Sequence, residues 1–482
     1  MARDRSLFGF ANSLMVTLVL LFCVPSRGSA QTSSPIVPVV GTSQNPFLGS
    51  VPTGQATSTA LALPLKEALT RALKYNLGAI EADQDTRAAH ASRLRSLNAL
   101  LPNLSARVLA TIEQVNLKSF GFPASIPGIN IPTIIGPFSV ADARAVVSQE
   151  VFNWADIKNL KASRETENAA QHTYKSDRDV VVVTTVDAYL LVISDAATVD
   201  SIRAQVETAR VLYQRTADQH KAGVVASIDE LRSQVELQTQ QQRLIAAQNQ
   251  LAIDKLTLAR VIGLPNGQEF ELADSVPYAP LAEMSLNDAL QQAYATRPDY
   301  LSARERQRAA ELVLQAASAE NYPSVAFYAD YGDAGSPNFA SSHGVFTLQG
   351  TVTIPIFQGT RVRADKLQAD SALRQRQAEL EDLQGKIDDQ VRTAFLNLKS
   401  SSDLVAVAKS NIDLANQTLK QAQDRFLSGV ADNLEVVQAQ ESVASAQQSY
   451  ISSLYSYNLA KVSLAQAIGT AEQSALQYLG AH

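Results

Sequence analysis

The sequence predicts a mixed α and β fold, internally duplicated, in which long helical hairpins are combined with four β-strands. Three observations predict it. Two segments that lie 206 positions apart carry nearly the same residues. The hydrophobic period changes from about 3.6 to about 2 after Pro102 and again after Pro323. Long proline-free stretches with helical spacing of apolar residues follow Phe152 and Phe357.

The duplication is clearest in the segments DQHKAGVVASIDELRSQ (218–234) and RFLSGVADNLEVVQAQ (425–440). An offset of 206 positions pairs Gly223 with Gly429, and chance rarely sustains one offset over about forty residues. The same offset pairs further residues without a gap: Val224 with Val430, Asp229 with Glu435, Lys255 with Lys461, and Ile262-Gly263 with Ile468-Gly469. The predicted organisation is a signal peptide at 1–30, an extended linker at 31–60, repeat 1 at 61–263, an inter-repeat segment at 264–283, repeat 2 at 284–469 and a C-terminal tail at 470–482.

The N-terminus predicts export. Arg3 and Arg5 precede an apolar run, and Gly28 and Ala30 follow it, which is typical of a signal peptide and too short for a membrane span. Cleavage removes three arginines and one aspartate, a net charge of +2, so the formal charge of −6 becomes −8. This acidic chain does not favour a nucleic-acid partner. The only cysteine, Cys23, lies inside the signal, so the mature chain has no disulfide, and the bulky residue before Cys23 disfavours lipidation.

Each repeat begins with a predicted helix. Residues 63–101 carry apolar side chains at helical spacing, and the same pattern recurs from Met284 at an offset of 221. Both helices are predicted to end at a proline, Pro102 or Pro323, because proline does not continue a helix.

Two β-hairpins are predicted next, at 103–152 and 324–357, with connecting loops at 117–137 and 333–342. Apolar and polar residues alternate in four segments of about ten residues, the length that a tilted strand needs to cross a bilayer. The apolar positions are Leu104, Ala106, Val108, Ala110 and Ile112; Ala141, Ala143, Ala145 and Val147; Val325, Phe327, Ala329 and Tyr331; and Phe346, Leu348, Gly350, Val352, Ile354 and Ile356.

A long helix and a returning helix complete each repeat. The long helix runs for about 65 residues, or roughly 95 Å, to Gly223 or Gly429. Glycine can adopt the left-handed conformation that closes a helix, so each glycine predicts a tight turn. Two residue pairs have the spacing of a capping box at the start of the returning helix: Ser227 with Glu230, and Asp432 with Glu435.

The strands must cross any membrane, because no run of 18 apolar residues follows the signal peptide. Four strands cannot close a barrel, and open edges are not tolerated in lipid. Two copies would give eight strands around a filled interior, whereas three give twelve strands around a lumen. We therefore predict a homotrimer with a 12-stranded transmembrane β-barrel that continues into a helical α-barrel.

The order of helix, proline, hairpin and long helix, followed by GVxxxxDxLxxQ (223–234) or GVxxxxExVxxQ (429–440), resembles the TolC-like outer-membrane efflux proteins. The resemblance covers about residues 61 to 470. It implies a trimeric exit duct in the outer membrane of a Gram-negative-type bacterium, with a periplasmic extension. It also implies two partners, a periplasmic adaptor (membrane fusion) protein and an inner-membrane pump, that work with the duct to expel drugs or proteins.

The resemblance also implies roles for residues of the helical tips, which form a periplasmic aperture in this family. It assigns acidic-ring positions to Glu435 and Gln438, and a lock between the hairpins to Asp229 and Phe426. A second lock uses an arginine where this chain has Ala431, which predicts a more weakly latched aperture. The resemblance places the adaptor contact at the turns: Gly223, Val224, Gly429 and Val430.

Other readings remain open at this stage. Glu435 also fits as the acid of a capping box, and Asp229 as an acid favoured by the helix dipole. The duct could serve a type I protein secretion system, and an exported coiled-coil scaffold without channel activity would have similar helices. The sequence predicts no enzyme, cofactor or metal site, because its five histidines are scattered and no HExxH or nucleophile motif occurs.

Overall fold

The computed structural model describes residues 45–121, 125–126, 129–130, 132–274, 278–281, 284–336, 341–431 and 433–480. The predicted signal peptide, residues 31–44 of the predicted linker, Asp432 and the last two residues of the tail lie outside the described residues. The described residues from Pro46 onward form one compact unit. In chain order the strands are β1 (Leu61–Leu63), β2 (Asn103–Asn116), β3 (Ser125–Ile126), β4 (Ile129–Asn130), β5 (Ile134–Phe152), β6 (Phe270–Leu272), β7 (Ser324–Gly335) and β8 (His343–Thr353).

The helices account for most of the described residues. In chain order they are α1 (Leu65–Tyr75), α2 (Leu77–Asn98), α3 (Trp154–Lys221), α4 (Ser227–Ile262), α5 (Leu286–Thr296), α6 (Pro298–Ala319), α7 (Arg361–Leu427), α8 (Asn433–Ala467) and α9 (Ala471–Leu479). Helices α3 and α7 contain 68 and 67 residues, and each is about 100 Å long. The chain is therefore a helix-rich mixed α and β protein.

The segment predicted as one helix at 63–101 and the matching segment from Met284 each contain two helices, so the prediction of a single helix was wrong. The first break lies at Asn76, which is fully buried and donates hydrogen bonds from Nδ2 to the carbonyls of Phe47 (2.7 Å) and Val261 (3.3 Å). The second break lies at Arg297, 221 positions later, and Pro298 then begins α6. At both breaks, polar groups form hydrogen bonds with residues far away in the sequence. Helical periodicity depends only on nearby residues, so it did not show the breaks.

The end of the predicted linker is packed rather than extended. Pro46–Leu48 forms a turn of 3₁₀-helix, and Ser50 pairs with Asn76 in an isolated β-bridge. The Phe47 side chain packs against the main hydrophobic core. Its ring occupies the space that a Cβ would fill at Gly78, which explains why a glycine is needed there.

The four long strands form one antiparallel sheet in the order β2-β5-β7-β8. The register places the predicted apolar residues in rows across one face, including the row Ala106, Ala145, Tyr331 and Phe346. Strands β5 and β7 extend further into the predicted loops than the alternation indicated. Strand β8 ends at Thr353, so Ile354 and Ile356 follow the strand rather than belonging to it. Strands β2 and β8 are the two edges of this sheet.

The helices pack side by side in a fixed order. Near the sheet, α3 lies between α2 and α6, and α6 contacts α7. Farther from the sheet, α3 lies between α4 and α8, and α8 contacts α7. Helices α2 and α4 therefore lie at one side of the chain, and α7 lies at the other side.

The main core lies where the short helices α1 and α9 meet α3, α4 and α8. Tyr189 of α3 is fully buried there, and its hydroxyl donates to the Leu63 carbonyl at 2.9 Å. Burial raises the pKa of Tyr189, and Asp274 beside it acts in the same direction. Among the described residues, α3 alone has a segment apolar and long enough to cross a membrane. Part of that segment is buried in this core, which suffices to explain its composition.

Candidate functional site

The two turns at the helical tips have the same backbone geometry. Gly223 and Gly429 have φ values of 73° and 71°, in the left-handed region that favours glycine. After each glycine a valine amide donates back into the long helix, Val224 N to Gln219 O at 2.9 Å and Val430 N to Arg425 O at 3.1 Å. Val224 is 71% exposed and Val430 is 72% exposed, so both tips present an apolar side chain to solvent.

A charged contact crosses the first turn. His220 Nδ1 lies 2.6 Å from Glu230 Oε2, which is an ion pair when the imidazole is protonated. The predicted capping box was wrong here: α4 begins at Ser227, its N-cap is Ala226, and no side chain caps it. Glu230 instead binds the end of α3, because the turn brings His220 within its reach.

A similar contact crosses the second turn. Arg425 Nη2 lies 3.3 Å from Glu435 Oε1, and both side chains are partly exposed. Gln438 lies one turn further along α8 and is exposed. Asp432, the other member of the predicted capping box, lies outside the described residues.

Asp229 and Phe426, the predicted lock, lie in different surroundings. The Asp229 carboxylate is 3.8 Å from Arg232 on the same helix. Phe426 packs against the tip cluster, which consists of Leu212, Ala422, Val436 and Ala439. A hydrogen bond between the hairpins comes instead from Asn433, which is fully buried and donates from Nδ2 to the Asp229 carbonyl at 3.2 Å.

A groove of about 360 Å³ separates the two hairpins just above the tips. Val211, Leu212, Phe426 and Val436 form its apolar wall. Gln440 also lines it, is 8% exposed, and has no hydrogen-bond partner among the described residues for either amide atom. The groove thus lies beside the buried tip cluster, between α3 of the first hairpin and α7 and α8 of the second.

The sheet carries a polar cluster that the sequence analysis missed. Arg144 donates two hydrogen bonds of 2.7 Å to the Asp142 carboxylate and one of 2.9 Å to Asp330. These side chains project from one face of the sheet. The apolar rows lie on the opposite face, on which Leu104, Val108 and Phe346 are more than 70% exposed. The available signal was Asp330, an acid that alternates with the apolar residues Ala329 and Tyr331 of β7. The sheet thus has one apolar face and one charged face.

Comparison with known proteins decides the family. The profile of the Outer membrane efflux protein family matches residues 82–264 and 289–470. The chain belongs to this family. Its members are outer-membrane channels for efflux, and the predicted resemblance to TolC-like proteins is confirmed.

Individual relatives of this outer membrane efflux protein are distant. Toluene efflux pump outer membrane protein TtgC of Pseudomonas putida is 26% identical over 63% of each chain. Alkaline protease secretion protein AprF of Pseudomonas aeruginosa is 21% identical over 70% of this chain and 71% of its own. The crystal structure of the outer membrane protein VceC from Vibrio cholerae has a TM-score of 0.70 at 17% identity, over 84% of this chain and 96% of that one. This last match shows a common fold.

Proposed function

We propose that this chain is the exit duct of a tripartite efflux pump, a homotrimer that crosses the outer membrane with its sheets and extends into the periplasm with its helices. The observation that carries the proposal is a four-stranded sheet with one apolar face and two unpaired edges, joined to helices about 100 Å long. Family membership supports the outer membrane as its location.

The edges of the sheet support a trimer. Strands β2 and β8 each have a partner on one side only, and unpaired backbone groups are costly in lipid. Pairing of β2 with β8 of a neighbouring copy would satisfy both edges. Three copies supply twelve strands, enough for a barrel with a lumen into which Arg144 and Asp330 project.

The helices support the same arrangement. Helix α7 lies at the side of the chain that carries β8. Its exposed apolar residues form a stripe, which we call the α7 stripe: Leu396, Leu404, Val407 and Leu414. Helix α4 lies at the opposite side, which carries β2. Its exposed apolar residues form a second stripe, which we call the α4 stripe: Ile228, Leu231, Val235, Ile245 and Leu256. Because the stripes lie at opposite sides of one chain, contact between copies is head-to-tail and closes as a ring.

We infer the internal duplication from helix breaks and left-handed glycines that recur at fixed offsets along the sequence. The helix breaks at Asn76 and Arg297 lie 221 positions apart. The left-handed glycines Gly263 and Gly469 lie 206 positions apart, as do Gly223 and Gly429. The repeat boundaries given above remain our proposal.

The partners that we propose are a periplasmic adaptor protein and an inner-membrane pump. The exposed turns, with Val224 and Val430 at their ends, are the surface that we assign to the adaptor.

We favour small-molecule efflux over protein secretion because the family is described by efflux, although AprF is named for protease secretion. The scaffold alternative does not explain a sheet with an apolar outer face. The proposed role requires neither catalysis nor a cofactor.

Purification in detergent and recording in planar lipid bilayers test the proposal together. We expect a trimer with ion conductance. A monomer without conductance would contradict the proposed duct.

Val407→Lys tests the interface between copies. Val407 is 57% exposed in the single chain, so a lysine there should leave the chain folded. In the trimer the same lysine would be buried against the α4 stripe without a partner, at a cost of several kcal/mol per copy. We expect trimers to dissociate, measured by native mass spectrometry.

Ala406→Lys is the matched control, because Ala406 is exposed and lies about 100° around α7 from Val407. It should leave the trimer intact. Equal effects of the two variants would contradict the proposed interface.

Glu435→Gln tests the aperture. Three carboxylates around the axis would favour cations, but each Glu435 is paired with Arg425 and its charge is partly offset. We therefore expect the cation-to-anion permeability ratio to fall, but by less than the loss of three unpaired carboxylates would cause. Arg425→Gln should raise the ratio by removing the opposing charge. Reversal potentials under a salt gradient measure both changes, and unchanged potentials in both variants would place Glu435 outside the aperture.

A further inference from the structure

The apolar face of the sheet continues at both places where a strand leads into a long helix. Phe152, at the end of β5, pairs with Val325, which pairs with Val352, so the three residues form one row of the apolar face. Ile356 and Phe357 follow β8 and are 96% and 89% exposed. We call these two places the first junction, between β5 and α3, and the second junction, between β8 and α7. Each junction thus presents an exposed apolar surface beside the sheet.

Basic residues follow the aromatic residue of each junction at the same spacing. In both repeats two cations stand six and nine positions after a phenylalanine. The sets are Phe152, Lys158 and Lys161 at the first junction, and Phe357, Arg363 and Lys366 at the second, at an offset of 205 positions. The combination of an apolar surface and two cations therefore occurs twice in the chain.

The four cations have no carboxylate partner within the described residues. Lys158 Nζ donates to the Gln315 side chain at 2.7 Å and lies 5.2 Å from the centroid of the Trp154 ring. The other three side chains are exposed and form no ion pair in the part of the chain that the structure describes. By contrast, Arg361 at the start of α7 pairs with Glu320 at 2.7 Å. The junctions thus carry positive charge that the described chain does not neutralise.

A groove of about 640 Å³ brings the apolar surface and the cations together at the second junction. Its lining includes three apolar residues and both cations: Ile356, Phe357, Leu367, Arg363 and Lys366. The acid in the lining, Asp370, pairs with Arg374 of the same helix at 3.0 Å. The groove therefore has an apolar wall and a net positive charge, which fits a molecule with a hydrocarbon chain and an anionic group.

The distances agree with the surface of a bilayer. The headgroup region beyond the hydrocarbon core is roughly 5–8 Å thick on each side. Lys366 lies five residues after the first residue of α7, which is about 7.5 Å along a helix that leads away from the sheet. Long basic side chains can keep their stems on an apolar surface while the charge reaches the headgroups.

We propose that both junctions bind the phosphate headgroups of anionic phospholipids in the leaflet next to the helices, with the acyl chains on the apolar surface of the junction. The proposal rests on the proposed function, because that function places the sheet in a membrane. Anionic lipids fit better than zwitterionic lipids, which bring a cation of their own to a site that already holds two. In a trimer these sites would repeat around the barrel and fix its depth in the bilayer.

Native mass spectrometry of the full-length protein in detergent tests the sites. The protein is titrated with phosphatidylglycerol or with phosphatidylcholine that carries the same acyl chains. We expect phosphatidylglycerol to bind more tightly to the wild type. Each basic residue near an anionic surface contributes roughly fivefold to the affinity.

The double variant Arg363→Gln with Lys366→Gln removes the cations of the second junction. It should weaken the binding of phosphatidylglycerol at that junction by up to roughly 25-fold, so that about half of the tight sites are lost. Phosphatidylcholine should bind nearly as before. Phe357→Ser should weaken both lipids alike, because contact with an acyl chain does not depend on the headgroup.

The double variant Lys409→Gln with Lys420→Gln is the matched control. It makes the same change of charge on the same helix, at least 43 residues further from the sheet than Lys366. Both lysines are exposed and form no ion pair within the described residues. This variant should bind both lipids like the wild type.

Four results would overturn the headgroup sites. These are equal affinity of the wild type for the two lipids, equal loss in the junction and control variants, displacement of phosphatidylglycerol by an equal concentration of inorganic phosphate, and dissociation of the trimer by the junction variant. The third result would indicate a site for free anions, and the fourth would place the cations against a neighbouring copy.

Conductance separates these results from failure of the proposed function. A conducting trimer that does not distinguish the two lipids would overturn the headgroup sites and leave the duct intact. A monomer without conductance would contradict the duct, whereas the lipid titrations of the variants would still decide the sites.

Discussion

Arg297→Ala should lower the free energy of unfolding by about 3 kcal/mol or more, in the range measured when one partner of a buried ion pair is removed. Arg297 is 7% exposed and lies between α5 and α6. Its Nε and Nη2 donate to the Asp299 carboxylate at 3.0 and 2.6 Å, and its Nη1 donates to Gln390 at 2.8 Å and the Ala467 carbonyl at 3.2 Å. One guanidinium thus joins α6 to α7 and α8, and the substitution leaves several groups without partners.

Arg376→Ala is the control for Arg297. Arg376 pairs with Glu379 on the surface of α7, where both side chains are more than 40% exposed. Exposed pairs contribute about 0–1 kcal/mol, so this variant should unfold close to the wild-type midpoint. Thermal unfolding followed by circular dichroism compares the two. If both variants unfold at the same temperature, Arg297 does not join these helices as the contacts indicate.

Gly469→Ala should have the second large effect, for two reasons that add. Gly469 has a φ of 76°, and an L-residue in this conformation costs roughly 1–2 kcal/mol. A Cβ at this position would also lie 2.6 Å from Arg297 Cα and 2.8 Å from Arg297 N. The break between α5 and α6 would have to move, at a further cost of roughly 1–3 kcal/mol.

Gly267→Ala separates the two causes. Gly267 has a φ of 82°, and a Cβ there would meet no atom within 4 Å. This variant should show the conformational cost alone, measured in the same unfolding experiment. A loss of stability at Gly469 that only equals the loss at Gly267 would mean that the α8 terminus does not press on Arg297.

The strands and turns could be predicted from the sequence because their signals are local. Alternation around Val108 and Phe346 reports which face of a strand is apolar, whatever the neighbouring strand is. Gly223 and Gly429 end long helical patterns, and a glycine there can adopt the left-handed conformation without a partner. Four strands also implied unpaired edges, since the number of strands follows from the chain alone.

The contacts between helices could not be predicted in the same way. Asn76 and Arg297 interrupt helices that are periodic on both sides, and their partners include Val261 and Ala467, each at least 170 positions away in the chain. Pro298 was the local signal for the second break. The first break has no comparable signal except a favourable N-cap residue, Asn76, whose Oδ1 accepts from Gly78 N at 2.9 Å.

By itself, the sequence determined the types and order of the long helices and strands, the left-handed turns and the apolar face of the sheet, because each depends on the identity and spacing of neighbouring residues. Only the tertiary structure decided that Glu230 contacts His220 rather than capping its own helix, and that Asn433 donates to the Asp229 carbonyl of the other hairpin. Such contacts depend on how two helices are rotated and shifted against each other. That choice is made by the packing of whole helix faces, and no single segment of the chain contains it.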